Sequence, residues 1–375
     1  MLRRAILTLF VSLPLLTTSC LPDASEEGKD QQSGHGDLTP AGLTIERAHF
    51  SNLAAIRPDN PASPAAVTGD GVLVVAGVFD EAQRWLLTAD STGRVLARFA
   101  RRGQGPGEVM HVGQLFAGAE GVTVWDGSQQ RLVRFTVLGQ HVWTTGAIGE
   151  GQPLLLGRDS MDFLIWGPGK TEVRRYGLPS LGWRDLIPAD DSVLRRFAAT
   201  PEAPGFVGFA SIEDGMVIVN PVTYEMQYYD PQGRRNGRHQ REVPQRFRTQ
   251  QELLHLQRSI QRGFVGADGI RRDFDTKAVV QRAAERPVRH FTAGTGPVAV
   301  SHLLWIVGGG SDSTFVDLFQ HRTFVRRWML PCSNTWPTAA ITRTRILLVC
   351  EVTDSLGDRV GEIQVYRIRR ADPTG

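Results

Sequence analysis

Six times along the chain a short apolar run is followed by a turn and then by an alternating strand. The runs are GVLVVAGV from Gly71, GVTVWDG from Gly121, DFLIWGP from Asp162, GMVIVNP from Gly215, HLLWIVG from His302 and RILLVCEV from Arg345. Their partners are RWLLTAD, RLVRFTVLG, EVRRYGLP, YEMQYYDPQG, TFVDLFQH and EIQVYRIRR. Period-two alternation bounded by Gly, Pro, Asp and Asn is the signal of strands joined by tight turns. Self-similarity at a spacing of about 40 to 50 residues, with one gap of 87, excludes a single sandwich and predicts stacked four-stranded units. The expected fold is all-β: a six-bladed β-propeller of four-stranded antiparallel blades, with seven blades as the alternative count.

Tryptophan follows the same period. Trp125, Trp166 and Trp305 fall in the second strand of three units, and Trp143, Trp183 and Trp328 in the fourth strand of the same three. A large ring at a recurrent blade position is expected in the core, filling the wedge between neighbouring sheets. The sixth unit has no fourth strand after EIQVYRIRR, where only ADPTG follows. Residues 42–50, GLTIERAHF, alternate and precede the first blade, so they are expected to close the ring by pairing with the last one; local pairing inside blade one is the alternative. The long gap between blades four and five, about residues 246–289, reads as a helical insertion. Thr249 and Glu252 form a capping box, with Leu253, Leu256, Ile260 and Phe264 on one helical face. A second helix is expected from Thr276 to Arg286, after Asp275 and before Pro287. Such an insertion serves either as a lid or partner surface, or as a cover for a blade edge.

One turn carries more specific information. Arg101-Arg102-Gly103-Gln104-Gly105-Pro106-Gly107-Glu108 precedes a unit whose second strand ends in Asp126 and whose third strand reads Arg131-Leu132-Val133-Arg134-Phe135. Gly103, Gly105 and Gly107 can take positive φ, and Pro106 stiffens the turn. A phosphate cradle is excluded: the spacing is not GxGxxG, no Lys-Ser/Thr follows, and a strand comes next in place of a helix N-terminus. Asp126 is expected to accept backbone hydrogen bonds in its turn and to pair with Arg131. Over residues 101–140 this pattern resembles the six-bladed propellers related to NHL repeats, the NHL-like or TolB-like lipoprotein propellers. In that family a GxGPGE turn leads into a blade with this arrangement of Asp, basic residue and apolar pair. The resemblance implies a six-bladed propeller and names no activity. Blades three and four depart from the pattern, with Gly167 and Asn220 where the Asp would fall.

The first residues concern address rather than fold. Met1-Leu2-Arg3-Arg4, an apolar stretch from Ala5 to Leu16 and Thr17-Thr18-Ser19-Cys20 make an export signal, residues 1–19. Leu-Thr-Thr-Ser-Cys resembles a lipobox, which would make Cys20 the lipidation site and anchor the chain in the bacterial envelope; plain secretion or a soluble periplasmic protein is the alternative. Residues 20–41 are polar and short of branched apolar side chains, so they read as a disordered tether, and 42–375 as the propeller. The formal charge is +3, and +1 without Arg3 and Arg4. The 39 Arg are scattered and nearly balanced by 39 acids, which argues against a nucleic-acid partner.

Cys332 and Cys350, eighteen apart, are a disulfide candidate in an exported protein; two buried thiols in neighbouring strands are the alternative. HExxH, GxSxG, an EF-hand ladder and paired-Cys metal motifs are absent from the sequence. Of nine dispersed histidines, His111 and His302 lie near blade starts, where a side chain could face the central channel. Asp190-Asp191 and Asp273 with Asp275 read as turn or cap residues. No catalytic residue and no cofactor are predicted. Two function classes follow: a noncatalytic envelope lipoprotein presenting a binding scaffold to a protein, peptide or glycan, or a lactonase-like hydrolase or lyase holding a divalent metal in the channel.

Overall fold

The computed structural model describes residues 43–48, 56, 58 and 64–370, less internal stretches such as 78–83, 199–207, 266–270, 289–296 and 301–302. Cys20, the tether, His302 and Asp273 lie outside the described residues. Six four-stranded antiparallel sheets follow one another along the chain. Blade 1 spans residues 65–101, blade 2 112–144, blade 3 152–187, blade 4 208–240 and blade 5 297–330. Blade 6 takes three strands from 338–370 and its outer strand from Leu43–Ala48, which lies antiparallel to Arg359–Arg370 with Leu43 opposite Arg370 and Ala48 opposite Val365. The ring is therefore closed by a strand from the other end of the sequence, leaving no open seam.

Neighbouring blades meet through their first strands, as in blades 1 and 2, 3 and 4, 4 and 5, 5 and 6, and 6 and 1. The core is divided into six apolar clusters, one at each blade boundary. This division explains the sequence runs. In the second strand of blade 5, Leu303, Trp305 and Val307 face blade 6 while Leu304 and Ile306 face blade 4. A strand covered on both faces reads as a continuous apolar run, although its side chains still alternate.

The tryptophans divide by strand. Trp125 and Trp305, in second strands, are buried. The fourth-strand residues are not core: Trp143 and Trp328 are half-buried at cluster edges, and Trp183 is 52% exposed with the Arg174 guanidinium 3.9 Å from its ring centroid. Fourth strands lie on the outer rim, where one face has no neighbouring sheet to cover it.

The insertion between blades 4 and 5 leaves and returns through a two-residue ladder, Arg246–Phe247 with Pro287–Val288. Its first helix, Gln250–Gln261, carries the reciprocal capping box: the Thr249 amide donates to Glu252 at 2.8 Å and the Glu252 amide to Thr249 Oγ1 at 3.3 Å. Its second helix, Thr276–Ala284, is capped by Asp275, which accepts from the Ala278 amide at 3.0 Å. A third helix, Ser192–Ala198, sits between blades 3 and 4 with Leu194 and Phe197 fully buried, and Asp191 accepts the Val193 and Leu194 amides at its start. No described helix is long and apolar enough to cross a membrane.

Cys332 and Cys350 form a disulfide with Cα atoms 5.1 Å apart. It ties the blade 5 to blade 6 connection to the second strand of blade 6, inside the cluster that also holds Leu43. Replacing either cysteine by Ser is expected to cost about 3 kcal/mol in denaturant unfolding, the loop-closure entropy of a span this short. A loss below about 1 kcal/mol would mean that the seam is held by apolar contacts alone.

Candidate functional site

The sequence elements that looked most specific converge at one end of blade 2, where its first strand begins and its second strand turns into the third. The Arg131 guanidinium donates to the carbonyls of Gln104 at 2.8 Å, Gly105 at 3.4 Å and Glu108 at 2.9 Å, clasping the glycine-rich turn against the third strand. Glu108 turns back to accept the Gly105 amide at 2.8 Å, and Pro106 lies inside the loop so closed. A Cβ at Gly103 would run into the Glu108 carboxylate, and one at Gly107, whose φ is +72°, would crowd the His141 side chain. The Asp126 carboxylate is fully buried. It accepts the Met110 amide at 3.0 Å and the His111 amide at 3.2 Å, and its Oδ2 lies 3.6 Å from Arg131 Nε. These residues form a brace that carries the chain from blade 1 into blade 2: backbone amides hold the carboxylate, backbone carbonyls take the two terminal guanidinium nitrogens, and Arg131 Nε faces the carboxylate without a hydrogen bond.

Asn220 plays the equivalent part in blade 4, accepting the Val222 and Thr223 amides at 2.9 and 3.1 Å. The five-residue turns Asp126–Gln130 and Asn220–Tyr224 both end in a left-handed residue, Gln130 at φ +50° and Tyr224 at φ +56°. An amide thus serves in blade 4 where blade 2 has the acid, because an acceptor oxygen is what the turn uses.

Among the described residues, His111 belongs to no group able to hold a metal. Its ring lies beside Gly127 on the turn of its own blade, and no group of three His, Cys, Asp or Glu able to hold a metal occurs among the described residues. Burial lowers its pKa from the ordinary 6.5, against the pull of the Asp126 charge. His239 is lowered by burial as well. A folded state that binds these protons more weakly than the unfolded chain has their full stabilisation above about pH 6.5 and loses it as pH falls through the depressed values. His111→Asn is expected to flatten the fall in Tm between about pH 7 and about pH 5, and an unchanged slope would refute that assignment.

The first strands, which meet around the ring axis, are Ala65–Val67, Val112–Gly118, Gln152–Leu156, Gly208–Ile212, Pro297–Val300 and Thr338–Ile341. They read AAV, VGQLFAG, QPLLL, GFASI, PVAV and TAAI. None contains an acid, a base, a histidine or a cysteine; Gln114, Gln152, Ser211 and Thr338 are their hydrogen-bonding side chains.

Charged side chains concentrate instead between blades and on the outer strands, where the sequence assigned a role only to Asp191, as a turn or cap residue, and Asp191 does cap the helix Ser192–Ala198. Asp162 takes a bidentate pair from Arg175 at 2.7 and 2.8 Å, and Glu225 one from Arg196 at 2.6 and 2.6 Å, with Arg238 at 2.8 Å. Asp191 accepts from Tyr229 at 3.1 Å and Arg235 at 2.9 Å. At the boundary of blades 4 and 5, Asp317 is fully buried and receives Arg327 at 2.6 and 2.7 Å, Tyr224 at 2.6 Å and Arg241. These are satisfied networks, with carboxylates held by guanidinium forks.

No family model matches the chain. No curated protein matches it. Solved structures do: a "Putative exported protein" of Bacteroides fragilis is 7% identical, aligns over 95% of this chain and 100% of its own, and has a TM-score of 0.53. A member of the DUF4221 family from Bacteroides vulgatus is 7% identical over 88% of this chain and 97% of its own, with a TM-score of 0.48. At such identities the first likeness speaks for the fold, and neither speaks for an activity.

Proposed function

We propose that the chain is a noncatalytic binding scaffold of the bacterial envelope, exported by residues 1–19 and anchored through a lipidated Cys20, whose propeller engages a protein, peptide or glycan. The observation that carries the reading is the composition of the six first strands. A divalent metal held in the channel for hydrolysis or lysis would need charged or imidazole ligands there. Here these strands bring apolar side chains with Gln114, Gln152, Ser211 and Thr338 and no acid or histidine, while the arginines and carboxylates pair with each other at blade boundaries and on the rim. The leader and the lipobox-like Leu-Thr-Thr-Ser-Cys support the envelope address.

Metal analysis of the purified chain from Leu21 onward tests the first part. Less than stoichiometric calcium and zinc after desalting is expected. One tightly held ion per chain, lost on substitution of channel-facing residues, would replace the scaffold by the metal-dependent hydrolase or lyase. Mass spectrometry of the membrane fraction tests the anchor. A diacylated Cys20 at the new N-terminus is expected, with Cys20→Ala releasing the protein into the soluble fraction; an unmodified residue 20 on a soluble product would overturn it.

A further inference from the structure

Trp183 opens the fourth strand of blade 3, Trp183–Ile187, and is 52% exposed. Its ring is nevertheless held in place. The Arg174 guanidinium lies 3.9 Å from the ring centroid and pairs in turn with Glu172 at 2.5 Å and Asp185 at 3.5 Å. The strand register explains the grouping. Tyr176 lies opposite Trp183 and Arg174 opposite Asp185, so indole, guanidinium and carboxylate share the sheet face on which Tyr176 packs against Trp125 and Leu132 of blade 2. The turn that leads into Trp183 is anchored below: Leu178 and Leu181 pack on that same cluster, and the Gly177 amide donates to the Gly182 carbonyl at 2.7 Å. A ring covered on one face by a guanidinium and still half-exposed turns its other face to water. Beside it a Cβ at Gly182 would meet nothing within 4 Å. A fixed indole with an open apolar face and polar groups at its edge is the kind of anchor that binding surfaces use.

Three features choose the ligand. The charges at this blade boundary balance: Arg174 and Asp185 with Glu172 on blade 3, and Arg134 opposite Trp143 on the facing side of blade 2, so no field draws a polymer of one sign. Only Trp183, Arg184 and Asp185 of the outer strand are exposed, too short a run to hold an added peptide strand. The Asp185 carboxylate, 50% exposed, accepts hydrogen bonds, and the guanidinium donates them. Donor and acceptor beside a flat apolar ring match the hydroxyl edge and C–H face of a pyranose. We infer that this ledge at the outer rim of blade 3 binds a neutral sugar ring, which stacks on the open face of Trp183 and exchanges hydroxyl hydrogen bonds with Asp185 and Arg174. The inference rests on the reading of the chain as a binding scaffold and names glycan as its ligand class.

Titration calorimetry and saturation-transfer NMR of the purified protein with maltotetraose, cellotetraose, xylotetraose and chitotetraose test this. At least one of these is expected to bind with a Kd of about 1 mM or tighter. Trp183→Ala should weaken that binding at least about tenfold and Asp185→Ala about three- to tenfold, with Trp183→Phe, a smaller platform, falling between native and Trp183→Ala. Both side chains are half-exposed, so the unfolding midpoint should stay where it is in all three variants. Raising NaCl to about 0.5 M should leave the affinity unchanged, as a neutral ligand requires. No binding of any of the four sugars, or binding that survives Trp183→Ala, overturns the ledge as a sugar site, while the scaffold reading is decided separately by its metal analysis. Binding of a proline-rich peptide in place of sugar, lost in Trp183→Ala, would assign the ledge to polypeptide and overturn the inference as well. Cleavage of a tetrasaccharide that depends on a retained metal ion, with binding still lost in Trp183→Ala, would overturn the scaffold reading and uphold the sugar site.

Discussion

A chain from which residues up to Ala48 have been removed is expected to lose at least about 3 kcal/mol of stability and to associate at concentrations where the longer chain is monomeric. The closing strand contributes in two ways. Leu43 is 1% exposed within the cluster between blades 5 and 6, and Ile45 packs on its edge beside Ile368. Full burial of a leucine alone is worth about 1.5–3 kcal/mol. The strand also covers the long third strand of blade 6, Arg359–Arg370, along six residue pairs. Without it, that strand presents unpaired amides and carbonyls beside Val365 and Tyr366, an edge that templates pairing with another chain. The ion pairs at the same place, Arg47 to Glu362 at 3.2 Å and Arg369 to Glu46 at 3.3 Å, lie at the surface and matter little by comparison. Denaturant unfolding with sedimentation of the native species measures both effects. A truncated chain that unfolds at the same midpoint as a monomer would show that residues 43–48 decorate a ring already closed by other contacts.

The ring was legible in the sequence because its core is periodic. Each second strand must satisfy two neighbours, so each appears as an apolar run of similar length, and the turn residues between runs mark the blades. The GxGPGE turn was legible as a turn for the same reason that it forms one: its glycines are placed where a Cβ would meet Glu108 or His141. A second repeated signal went unread. Asp90 and Asp230 each open a turn ending in Gly-Arg, and each carboxylate accepts two backbone amides plus the Arg94 or Arg234 guanidinium. The hydrogen bond from Thr92, above all, holds the Asp90 carboxyl down at about 2. That Asp-x-x-Gly-Arg pattern was available in the sequence as a marker of the connection between third and fourth strands. Beyond the Asp126–Arg131 pair, the roles of the arginines were not available. Arg131, Arg196 and Arg241 reach partners 23 to 76 positions away, and only the folded ring decides which of 39 similar side chains faces which carboxylate. The tryptophans were misassigned where period was taken for burial, because a recurrent position on an outer strand recurs at the rim.

Asp317→Ala is expected to cost about 3–5 kcal/mol, the largest effect of any single substitution outside the apolar clusters. The Asp317 carboxylate has no exposed surface and joins two blades: Arg327 comes from the adjacent strand of blade 5, while Tyr224 and Arg241 come from blade 4 and the segment just after it. Removing the carboxylate leaves two guanidiniums facing each other across the wedge. Arg241 rests 3.6 Å over the Phe324 ring and Arg327 4.1 Å over Phe315, so neither is free to swing out without giving up that contact. Their side chains are 17% and 32% exposed, and this partial hydration places the expected loss near the lower bound, about 3 kcal/mol. Asp317→Asn keeps an acceptor for Tyr224 and should fall between Asp317→Ala and Tyr224→Phe. The last deletes one hydrogen bond to a charged acceptor, worth about 1.5–3 kcal/mol. The ordering separates a charge effect from a packing effect. If Asp317→Asn is as harmful as Asp317→Ala, charge is what the site requires; if Asp317→Ala costs less than about 1 kcal/mol, the arginines reach water and apolar contacts alone join blades 4 and 5.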